Sequence, residues 1–247
     1  CIRDRYIFYR IKKNLVGLSY KKTMTQIVQS LEPIVYQGQF GDFTITKGDR
    51  LGVIIYRSGL MTAALSFALG SILVLWRGGN PTIIKALTPL IGCFCLALGV
   101  SLATIHIYMA SLHRLLQLFW LIGAITMIIL AINSSDPLAF TVYNNPVTIF
   151  GVGFTFAALT GIYFKEAFCF NRLETKLLTP LVPFLLLSHM IGFLSIETKE
   201  FLLGIWAFLF IIFAIRKALQ PIPPDIGDKS VFEYLHQQKN WEKNTNS

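Results

Sequence analysis

Two histidines seven residues apart, His106 and His113, and a glutamate and a cysteine three apart, Glu166 and Cys169, have the types and spacing to bind a ligand. Seven residues are close to two helical turns, so the histidines share a face if one helix runs on past Tyr108. Glu166 and Cys169, at i and i+3, put a carboxylate and a thiol on one helix face. With His113 they form a mixed donor set of the kind that holds a transition metal. No established ligand spacing such as HExxH accompanies them, and the competing reading makes them salt-bridged residues that cap a helical bundle. His106 and His189 are candidates for the axial ligand of a haem or chlorophyll. They cannot share one ring, because in the spans assigned below His106 lies about 3 Å from a membrane face and His189 roughly 16 Å deep. Lys165, Glu166, Asn171, Arg172 and Glu174 crowd one short segment and make a candidate functional face. Cys93 and Cys95 stand one residue apart, which is not a redox or zinc spacing. No Ser-His-Asp order, phosphate-binding glycine loop or pair of catalytic carboxylates is present, so the chain reads as non-enzymatic.

The elements that must position these residues are membrane helices. Of 247 residues, 14% are charged and 54% hydrophobic, with a mean hydropathy of +0.58; a soluble domain carries about 25% charged residues. A crossing of about 30 Å needs roughly 20 apolar residues. Six runs qualify: Ser58–Trp76, Ala86–Tyr108, Leu115–Ile132, Pro146–Phe164, Leu178–Ile196 and Phe201–Ile215, the last extended by Lys199 and Lys217, whose stems can snorkel. The expected fold is therefore all-α, a compact bundle of six transmembrane helices with short loops. Six spans put nineteen Lys and Arg on the side of both termini and three on the other. That asymmetry places both ends in the cytoplasm or stroma. The net charge of +9 flanks apolar runs and fits anionic lipid better than nucleic acid.

Residues 58–215 form the membrane domain on this reading, with 24–57 ahead of it and 216–247 behind. Residues 1–23, holding seven basic residues and one acid, read as a fragment start or as sequence upstream of a start at Met24. Alternation from Pro33 to Thr46 around Gly38 and Gly41 predicts a short surface hairpin, with Thr46 or Asp49 capping the first helix. Pro221, Pro223 and Pro224 predict an extended, polyproline-like exit from the last span. Ser230-Val-Phe-Glu233 has the spacing of a capping box and opens an amphipathic helix to about Gln238.

One internal echo raises a transport reading. Lys85-Ala-Leu-Thr-Pro-Leu90 and Lys176-Leu-Leu-Thr-Pro-Leu181 open spans two and five and match at five of six positions. These spans enter from opposite faces, so a repeat built on them is inverted, three helices plus three, as in many transporters.

Four stretches carry a resemblance: Val35-Tyr-Gln-Gly-Gln-Phe-Gly41, Gly52-Val-Ile-Ile-Tyr-Arg57, the run Gly161–Thr175, and the tail from Gln220 to Phe232. From about Pro33 to Leu235 the chain resembles a family of uncharacterised integral membrane proteins of cyanobacteria and plastids, a domain of unknown function. The resemblance implies a thylakoid, plastid or plasma membrane, and it supplies no activity and no catalytic residue. Three readings follow. The first is a binding or assembly factor for another, photosynthetic, membrane complex; the others are a small transporter or channel, and a haem-, chlorophyll- or metal-binding protein.

Overall fold

Apolar runs bounded by prolines, glycines and short polar turns become helices, and the structure, a computed structural model, is mostly helical. It describes residues 35–238 apart from Tyr108, Phe232 and His236; the reading of residues 1–23 lies outside the described residues. Contacts divide the chain into two units, a bundle from Ile54 to Gln220 and a smaller unit from the residues on either side.

The smaller unit begins with an antiparallel hairpin, β1 (Val35–Gln37) and β2 (Asp42–Thr44), in the register Tyr36 to Phe43. This is the hairpin expected from the alternation. Tyr36 and Phe43 are buried and their rings stack at 5.6 Å. Thr46 and Asp49 both cap the next helix: the Thr46 N–H and hydroxyl donate to Asp49 Oδ2 at 2.8 Å, and the Asp49 N–H donates to Thr46 Oγ1 at 3.2 Å. That reciprocal pair is a capping box.

Six long helices follow: α1 (Lys47–Arg77), α2 (Pro81–Thr104), α3 (Ala110–Asn133), α5 (Ile149–Phe170), α6 (Leu173–Ile191) and α7 (Ile196–Leu219), with a short α4 (Leu138–Asn144) between α3 and α5. Among the described residues, five of these, all but α6, are long and apolar enough to cross a membrane, against six expected. The fifth expected span is displaced. Its helix starts at Leu173 rather than Leu178 and stops at Gly192, which takes the left-handed conformation (φ 75°) and returns its N–H to Ser188 and His189. Charged Glu174 and Lys176 therefore fall inside α6, leaving about 28 Å of helix in all.

Direction follows from contacts within the bundle. Glu166 near the end of α5 meets Lys217 near the end of α7, so the two helices run parallel. The first turn of α6 is held at that same end, where Glu174 meets Arg216. Thus α6 runs back between them.

Two expectations about the tail need correction. Instead of leaving as an extended polyproline segment, the chain forms one helical turn, α8 (Pro223–Ile226), because its prolines occupy first-turn positions where a missing N–H costs nothing. The last helix among the described residues begins at residue 229, and Asp228 rather than Ser230 caps it: Asp228 Oδ1 accepts from the Ser230 N–H at 2.9 Å and from its hydroxyl at 2.6 Å.

Candidate functional site

The charged residues of α5, α6 and α7 converge because each helix carries one of them on an inward-facing turn. Glu166 and Lys217 are both fully buried. Lys217 Nζ donates to both carboxylate oxygens, at 2.9 and 2.8 Å. Lys165 adds a bond to Glu166 Oε1 at 2.9 Å, and the Tyr56 hydroxyl from α1 one at 3.4 Å. Aromatic rings close the cage: the Lys217 ammonium lies 4.3 Å from the Phe170 ring centre and 5.6 Å from that of Tyr56. A buried carboxylate is expensive unless paired and fully hydrogen-bonded. Here both conditions are met.

A second layer lies at the helix ends. Glu174 accepts from Arg216 Nη1 at 2.7 Å and faces Arg172 Nη1 at 3.7 Å. Arg172 also donates to the Gln220 side-chain oxygen. Arg57 donates to the backbone oxygens of Ala218 and Gln220, which satisfies carbonyls that the end of α7 leaves without an intrahelical partner. Four cations, Lys165, Lys217, Arg172 and Arg216, thus meet two carboxylates, and Arg57 closes the end of α7. The turn that permits this is two residues long: Asn171 adopts the left-handed conformation (φ 52°) and Arg172 stands at the N-cap of α6.

Of the sequence candidates, Lys165, Glu166, Arg172 and Glu174 meet in this cluster, and Asn171 supplies its turn. The histidines stand elsewhere. α2 ends at Thr104 and Ile105 is extended, so no single helix joins His106 to His113. His106 sits in the connection and His113 inside α3, which begins at Ala110 rather than at Leu115. His113 Nε2 makes a 2.7 Å bond with the Leu102 carbonyl, and Gln117 approaches it at 3.2 Å. His189 lies two residues from the end of α6, roughly 24 Å from its start. It bonds the Tyr143 carbonyl at 3.1 Å and stacks on that ring at 5.1 Å. Because α2 ends and α3 begins at the Tyr56 end, where the Ser101 hydroxyl donates to the Tyr56 carbonyl, His106 and His189 occupy opposite ends of the bundle. Cys169 is half-buried on α5. Among the described residues no three of His, Cys, Asp and Glu form a set that could hold a metal ion.

Lys217 is the member of the cluster that sequence reasoning misplaced. Read as a snorkelling residue, it is instead fully enclosed, since a carboxylate of another helix meets it before water does. A cation near the end of one span and an acid near the end of another, entering the same face, was the available signal.

The family model described as "Uncharacterized integral membrane protein (DUF2301)" matches residues 100–234, which include α3 to α7 and all of the cluster except Tyr56 and Arg57. An uncharacterized protein of Haemophilus influenzae is 28% identical over 186 residues, covering 75% of this chain and 92% of that protein. No solved structure matches the chain.

Proposed function

Since the chain belongs to this family of integral membrane proteins, we propose that it is a non-enzymatic membrane protein that binds another membrane complex through its smaller unit and aids that complex's assembly. One observation carries the reading: the hairpin and the tail are knit into a built surface that leaves apolar side chains exposed. The Gln39 N–H donates to Asp228 Oδ2 at 2.6 Å, the Phe40 N–H to Ser230 Oγ at 3.0 Å, and Lys229 reaches Asp49 at 2.9 Å. Phe40 stacks on Tyr234 at 4.1 Å, yet Phe40, Tyr234, Leu235 and Val35 all stay exposed. Exposed apolar groups on a fixed frame, rimmed by polar ones, suit a protein partner.

The six-crossing bundle with both ends on the cytoplasmic or stromal side belongs to the same proposal, supported by the charge asymmetry and by the parallel course of α5 and α7. The resemblance to cyanobacterial and plastid proteins favours a thylakoid and a photosynthetic partner. The experiment is purification from native membrane. A stoichiometric protein partner is expected, and Phe40→Ser with Leu235→Ser should release it while the protein stays folded and inserted. Repeated recovery of the protein alone, by gentle detergent and by crosslinking, would sink the reading.

A second reading, a transporter or channel with an inverted three-plus-three repeat, is favoured by the two echoing hexapeptides. In both, the leucine at the third position is buried, the lysine, the second residue and the proline are exposed, and the threonine and last leucine are intermediate. Single cysteines at Leu87 and Leu178 test it, because alternating access requires each to react with a water-soluble thiol reagent from its own face. Protection of both throughout would exclude this reading.

A further inference from the structure

In the half of the bundle away from Glu166, a half-open cavity of about 220 Å³ lies between α1, α2, α3, α4, α5 and α7. It runs from Ser66 to Val74 along α1, roughly 15 to 27 Å from the level of Tyr56. Its walls are apolar, with Phe67, Leu87, Ile91, Phe94, Met127 and Phe156 prominent, and no lining residue is charged. Two hydroxyls reach it, and both already donate elsewhere: Ser71 to the Phe67 carbonyl at 2.9 Å and Ser66 to the Cys93 sulfur at 3.3 Å. Gly70 stands in its wall, where a Cβ would meet nothing closer than a Leu87 methyl at 3.7 Å.

We propose that this cavity binds one hydrocarbon chain, the acyl chain of a membrane lipid. An empty apolar void forfeits the dispersion contacts of every group that lines it, and an apolar cavity of about 150 Å³ already takes up benzene. Water finds too few partners there to stay. A headgroup or polar ring would be left without partners and would lose its solvation. Five of the six helices that form the walls are long and apolar enough to span a membrane, so the medium at the mouth is hydrocarbon.

Trp206 reports on the cavity without lining it. It is buried, with its ring 4.4 Å from that of Phe67 and 5.4 Å from that of Phe156. The full chain, keeping Trp206 as sole tryptophan through Trp76→Phe, Trp120→Phe and Trp241→Phe, is placed in phosphatidylcholine vesicles whose acyl chains carry bromine, a short-range quencher. Trp206 emission is expected to fall relative to unbrominated vesicles, and filling the cavity by Gly70→Leu or Ala139→Phe should restore it. The two substitutions sit on different helices, so either reads out alone if circular dichroism shows the other misfolded. Loss only with brominated free fatty acid in unbrominated vesicles also supports a chain site and names the free acid as its source. No loss in either arm, or a loss that both filled variants retain, overturns the proposal.

Discussion

At the scale of single residues, Glu166 and Lys217 are worth most as a pair. Removing Glu166 leaves Lys217 buried and unmatched, and removing Lys217 leaves Glu166 only Lys165 as an ionic partner; losing one member of a buried pair costs about 3–5 kcal/mol, whereas replacing both by apolar or neutral groups of similar volume is often close to neutral. Glu166→Gln and Lys217→Met are each expected to lower stability by that amount, and the double variant to recover most of it. Unfolding in detergent measures the cycle, and additive losses would mean the two do not act together. Glu166 was legible as a notable residue because an acid near the end of a span is costly there. Its use was not, because ion pairing across 51 residues depends on which faces of α5 and α7 meet. Hydropathy alone leaves those faces open.

At the scale of elements, close approach of α3 and α5 depends on glycine. A Cβ at Gly123 would lie 2.1 Å from Thr155 Oγ1 and 2.5 Å from its backbone N, and one at Gly161 would lie 2.2 Å from a Leu116 methyl. Small residues let helices in a membrane approach and gain contact. Gly123→Val is therefore expected to destabilise by about 1–3 kcal/mol through overpacking, while Gly92→Ala, with nothing within 4 Å, should be neutral or slightly stabilising. Thermal melts of the two variants decide it, and equal melting points would refute the packing account. The long apolar runs made the helices readable; their ends were less so. The extended Ile105 separates His106 from His113, and the two-residue turn at Asn171 draws Lys165–Phe170 into a helix that hydropathy ended at Phe164. Both outcomes turn on local backbone dihedrals and on tertiary partners such as Lys217, which no apolar pattern encodes.

At the scale of the molecule, membrane character was plain from composition because so few charges cannot coat a surface in water. Orientation is the matching prediction. A fluorescent protein fused after Ser247 should fluoresce in bacterial cells, and an alkaline phosphatase at the same point should stay inactive; active phosphatase would place that end outside and overturn the orientation. The hairpin adds a consequence in time. A two-stranded hairpin is marginal alone, and the groups that hold its turn, Asp228 and Ser230, lie 189 and 190 residues downstream of Gln39 and Phe40. At about 5–20 residues per second, synthesis leaves that turn unclosed for roughly 10–40 s after it leaves the ribosome. Among the described residues the earliest translated element is thus among the last to be completed, and its closure waits until Ser230 has been made.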